Sequence, residues 1–156
     1  MTTPYTDIID LAMLSLRDYH LDKLWKQSET LFLTEMQGYL IRGLPLFSNC
    51  RKNLSDRDDS PDNPAEAHFN CELDDFEKNI LADCLVIVYL DQQILDIRQI
   101  TGMMQNKTEA TRYSEANLLK AKDELRSAKV ERLNSQLTNY ELRDADWARM
   151  VGGISG

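Results

Sequence analysis

The chain has 156 residues, of which 42% are hydrophobic and 28% charged, and its net charge is −8. That length suits one domain with a core of useful size, and the composition is that of a globular protein rather than a disordered or collagenous one. No stretch approaches the ~18 apolar residues of a membrane span, the N-terminus lacks the basic-then-apolar pattern of a signal peptide, and the acidity argues against gripping nucleic acid by surplus basic charge.

The charge is not spread evenly. Nine acids lie between Ser55 and Glu77 against one base, Arg57, so the rest of the chain is neutral. A concentrated negative segment permits a local role that a uniformly acidic surface would not. Only four prolines and six glycines occur, and three of the glycines fall in the last five residues, which favours long helices. The odd set of cysteines, Cys50, Cys71 and Cys84, has no metal-ligand spacing and reads as reduced thiols in a cytosolic setting.

In chain order, Thr3-Pro4 reads as a helix start, with threonine as cap and proline in the first turn. Ile8, Leu11, Ala12 and Leu16 follow at helical spacing. The pattern loosens at Asp18-Tyr19-His20, which predicts a turn or irregular link through about Gln27. Ser28-Glu29 opens a second helix with Leu31, Met36, Tyr39, Leu40 and Leu44 on its buried side, and Pro45 kinks or ends it.

Residues 51–70 form a polar loop, and Ser55 to Pro64 contains no hydrophobic residue. It is expected to be either a mobile surface loop or a segment ordered by a partner. Phe69 to Leu73 alternates weakly, as a short strand docked on a neighbour would. Asp74-Asp75-Phe76-Glu77 then carries an acidic cap with a glutamate three residues on, the signature of a capped helix start. From Asn79 to Leu90 this helix is apolar almost all round, so other helices or neighbouring subunits must surround it. Gly102 marks its expected end.

Gln105 to Arg112 reads as a polar link, and Ser114 as the cap of a final helix reaching about Arg143. Leu118, Ala121, Leu125, Ala128, Leu133, Leu137 and Tyr140 make a narrow stripe, suited to lying across a core or packing in a ring of copies. The spacing slips after Ala128, which argues against a two-stranded coiled coil. Residues 144–156 have lost helical regularity and read as an extended tail carrying Trp147, Arg149, Met150, Val151 and Ile154. Such a tail stays free in water, folds back on its own core, or inserts into a partner groove. The organisation is therefore an all-α bundle of about four helices over residues 1–143, with a loop at about 51–73 and a tail at 144–156.

Motifs of catalytic chemistry are not found. His68-x-x-Cys71 with Cys50 would need His20 as a fourth zinc ligand, and buried or idle thiols are the simpler reading. The pairs Asp58-Asp59 and Asp74-Asp75 stand with no histidine or apolar pocket in sequence to split their pKa values. Gly152-Gly153 precedes no helix, so it is no phosphate loop. The bases of the final helix (Lys120, Lys122, Arg126, Lys129, Arg132, Arg143) are almost cancelled by Glu115, Asp123, Glu124, Glu131 and Glu141, as on a solvated helix face. No enzyme activity, cofactor or metal is expected.

Three stretches carry a likeness to a known family: Asp7 to Leu14 leading into Leu16-Arg17-Asp18-Tyr19, Phe69 to Leu73 before Glu77 to Ala82, and Tyr113 to Lys120. With them, most of positions 5 to 140 resembles the small helical head-to-tail connector (adaptor) proteins of tailed bacteriophages. The resemblance implies a structural subunit in the virion neck, assembled in the host cytoplasm into a ring, usually dodecameric. Such a ring sits beneath the portal protein, extends the DNA channel without specific DNA contacts, and receives a stopper or tail-completion protein.

It further implies that the tail, through Trp147, Arg149, Met150, Val151 and Ile154, docks on the portal. Asp56, Asp58, Asp59 and Asp62 would line a lumen that repels phosphates, or else form an outward solvated loop. Part of the apolar helix, around Val86, Ile87 and Tyr89, would face a neighbouring copy. The alternative from another class is a helical binding or regulatory module without a channel.

Overall fold

The computed structural model describes residues 1–103 and 108–143. Among them the fold is all-α, with five α-helices and one small sheet. The helices are α1 (Tyr5–Ser15), α2 (Tyr19–Gln27), α3 (Glu29–Gly43), α4 (Asp75–Met103) and α5 (Glu109–Leu142), and single 3-10 turns follow α3 and interrupt the loop before α4. The strands are β1 (Thr3–Pro4), β2 (Arg57–Asp58) and β3 (His68–Phe69), in the order β1-β3-β2 with antiparallel neighbours. Phe69 is the register partner of both Thr3 and Arg57.

The apolar run of α4 is the axis of the molecule. Ile80, Leu81, Cys84, Leu85, Val86 and Tyr89 are fully buried, against α1 and α3 on one side and α5 on the other. Its start is the expected capping box: the Asp74 amide donates to Glu77 Oε2 at 3.0 Å, and the Glu77 amide donates to Asp74 Oδ1 at 2.9 Å. Gly43 lets α3 approach closely, since a Cβ there would lie 3.1 Å from the Cys84 carbonyl. Burial pushes the Cys84 thiol up to about 12, so it packs as a small hydrophobe.

Several expectations are corrected. Thr3-Pro4 is a strand rather than a helix start, because the Thr3 hydroxyl is spent elsewhere: it donates to the Cys71 carbonyl at 2.9 Å and accepts from the Leu73 amide at 2.8 Å. The link expected at 18–27 is α2, with Asp18 as its cap accepting from the His20 amide at 2.8 Å. On α3, capped by Ser28 as expected, Leu31 is exposed and Phe32 and Leu33 are buried in its place. The last helix starts at Glu109 under a Thr108 cap, six residues ahead of the expected cap Ser114.

Candidate interaction surface

The acidic loop is folded onto its own chain. Half-exposed Asp59 accepts at its Oδ1 from the Tyr5 hydroxyl at 2.7 Å and from Arg57 Nε at 3.0 Å. Gln37 Nε2 donates to the Asp59 carbonyl at 2.5 Å. The Asn70 amide donates to the Asp56 carbonyl at 3.0 Å, and its side chain donates to Asp56 Oδ1 at 2.8 Å. Burial, with Asp59 beside it, raises the Tyr5 hydroxyl well above its ordinary range.

The strand expected at 69–73 to dock on a neighbour forms at His68–Phe69 and pairs with β1 of the same chain. Asp59 is therefore a clasp of the loop, paired with Tyr5 and Arg57. Asp56, Asp58 and Asp62 remain at the surface.

Val86, Ile87 and Tyr89 are 0%, 3% and 0% exposed within a single chain, which corrects the expectation that they face another copy. They leave no surface to offer, because the bundle itself surrounds α4; Tyr39 meets Tyr89 edge to face with ring centroids 5.4 Å apart. The apolar stripe of α5 divides. Leu133 and Tyr140 are buried, but Leu118 and Leu125 are 49% and 40% exposed and Ala121 and Ala128 are exposed with them.

A charged row joins α5 to the bundle. Lys129, expected on a solvated face, is buried, and its Nζ donates to Asp83 Oδ1 at 3.1 Å and Ser15 Oγ at 3.0 Å; Arg132 Nε completes the group 3.0 Å from Asp83 Oδ2. Further along, Lys122 pairs with Asp18 at 3.3 Å and Arg126 with Asp91. Burial acts to raise the Asp18 carboxyl, but the nearby Tyr89 hydroxyl, the hydrogen bond from the His20 amide and the Lys122 ammonium outweigh that and hold it below the ordinary value. At the base Tyr140 donates to Glu77 Oε1 at 2.7 Å and accepts from the Arg51 amide at 3.2 Å, and burial pushes its hydroxyl up to about 12.

Apolar side chains also gather where α1, α2 and α3 meet. A cleft of about 520 Å³ is lined by Met13, Leu16, Tyr19, Leu21, Trp25 and Phe32, with Asp10, Arg17, Asp18 and Asp22 also around it. Its shape follows from local rules. The chain leaves α1 extended at Leu16, Asp18 starts α2, and the short helix buries only Leu21 before Ser28 starts α3. Trp25 meets the Phe32 ring edge-on at 5.1 Å. Tyr19 is 82% exposed and Trp25 47%, and Leu14 and Leu31 nearby in the chain are 79% and 59% exposed.

Sequence reasoning missed this surface. The signal was present as Leu21, Leu24 and Trp25 at helical spacing behind Asp18.

Among the described residues, no group of three or more His, Cys, Asp or Glu side chains could hold a metal ion, and no helix is long and apolar enough to cross a membrane. His68 Nδ1 lies 2.7 Å from the Glu66 carbonyl. The tail residues Trp147, Arg149, Met150, Val151 and Ile154 lie outside the described residues. No family model, no curated protein and no solved structure matches the chain.

Proposed function

We propose that this chain is a structural subunit of a tailed-phage neck, an adaptor that assembles between the portal protein and a stopper or tail-completion protein. The observation that carries the reading is the clustering of exposed Tyr19 and Trp25 around an apolar cleft, on a molecule whose α4 already has ample core of its own. Scattered surface hydrophobes need no explanation, but large ones gathered at a cleft suit contact with another protein. The resemblance to phage adaptors supplies the setting, and the surface position of Asp56, Asp58 and Asp62 is compatible with a wall past which DNA slides without sticking.

In this reading the copies form a ring whose faces meet the portal on one side and the stopper on the other. Mass spectrometry of purified particles tests it: the chain is expected in mature virions, and its absence from them would refute the proposal. A second reading draws on the same cleft, in which a helical regulatory module takes an apolar segment of an unrelated protein without a channel. Presence in the particle separates the two.

A further inference from the structure

We infer that the cleft between α1, α2 and α3 receives the C-terminal segment of a second copy of this chain, with Trp147 as its anchor. The inference rests on the assembly reading only in taking the chain to self-associate, and it gives the tail a sibling copy rather than the portal as its destination.

Two stretches lie outside the described residues, 104–107 and 144–156, and of these only 144–156 contains a tryptophan, followed by Met150, Val151 and Ile154. A cleft of about 520 Å³ walled by Met13, Leu16, Leu21 and the edge-on pair Trp25 and Phe32 is of a size and character to hold an indole with a flanking aliphatic side chain. Aromatic anchors in such pockets supply most of the energy of an interface.

Reach decides between copies. Asp18 lines the cleft and pairs with Lys122, so the cleft lies level with Lys122 on α5. Arg143, which ends the described chain, pairs with Asp74 at the far end of the bundle. At 1.5 Å per helical residue the two levels are about 31 Å apart. Trp147 follows Arg143 by four residues, and an extended chain carries it at most about 14 Å further. The indole of the same chain therefore falls short of its own cleft, whereas that of a neighbour is free to enter.

Charge is available on both sides: Asp10 and Arg17 border the cleft, and Asp146 and Arg149 flank Trp147 in the sequence. Such a contact is heterologous, so it repeats from copy to copy and closes into a ring if the rotation allows.

Sedimentation velocity on the full-length chain tests this. The wild type is expected to self-associate as concentration rises. Tyr19→Asp, on the exposed lip of the cleft, and Trp147→Asp, on the tail, are each expected to weaken association about 30-fold or more. Mixed in equal amounts they should form a one-to-one dimer, since the first keeps a working tail and the second a working cleft. If Tyr19→Asp lowers the melting temperature, Trp25→Asp takes its place. A wild type that stays monomeric, a variant that assembles as well as the wild type, or a mixture that stays monomeric would each overturn the inference. Virion content is read separately, so a chain found in particles yet monomeric in this assay would retain the adaptor role and lose this contact.

Discussion

The two halves of the α4–α5 pair differ in what holds them. Between Ile80 and Leu90 every side chain of α4 except Val88 is buried, and α5 answers with Leu133, Tyr140 and the buried Lys129. From Leu95 onward the same helix is packed largely by polar pairs with α5: Arg98 stands 3.8 Å from Asp123, and Thr101 donates to Glu115 at 3.3 Å. Leu95, Ile100, Leu118 and Leu125 in this arm are between 40% and 51% exposed. A helix pair buried among other helices is held by the hydrophobic effect, while one left as a bare pair relies on exposed ion pairs of small net value. The base supplies stability, and the arm and the neighbouring cleft supply surface.

That contrast can be broken most sharply at Asp83. Asp83→Ala leaves Lys129 buried without its carboxylate and is expected to cost about 3–5 kcal/mol in urea unfolding. Leu85→Ala, which opens a cavity in the core, should cost about 2–5 kcal/mol by the same measurement. Tyr5→Phe removes the hydroxyl that clasps Asp59; a loss of about 1 kcal/mol is expected, with faster proteolysis between Leu54 and Asn70.

Acid acts on the base through Asp74, held below its ordinary value of 3.8 chiefly by its hydrogen bond from Arg143, and on the cleft end through Asp18, held low against burial by its own partners. For a depressed carboxyl the contribution is complete above the unfolded value and is lost as pH falls through the folded one. The urea midpoint should therefore fall between about pH 5 and pH 3, and fall less in Asp18→Asn. Smallest of all, Leu118→Ala on the arm should change stability by no more than about 0.5 kcal/mol, since little of its side chain is taken from water by folding. A large loss there would mean that the arm is part of the cooperative core.

What was legible in the sequence follows the same division. The apolar run of α4, its capping box and the all-α class were readable because they rest on local spacing and composition. The partners of the polar groups were not. Lys129 looks like any solvated lysine until Asp83, 46 positions earlier, is brought beside it. The loop at 51–70 looks unstructured because its anchors, Tyr5, Gln37 and Thr3, lie far off in the chain.

Excess apolar surface was expected on α4 around Val86, and it proved to be interior, surrounded by the bundle itself. Apolar side chains left for a partner lie instead along the arm and around α2, a nine-residue helix whose weak pattern and charged neighbours read as a link.

Hydrogen exchange followed by mass spectrometry at low and high protein concentration tests the central claim, that this protein assembles through the cleft end of the molecule. Raising the concentration is expected to slow exchange in residues 16–28 and 144–156 and to leave residues 54–70 unchanged. Slowed exchange confined to residues 54–70, or none anywhere, would contradict it.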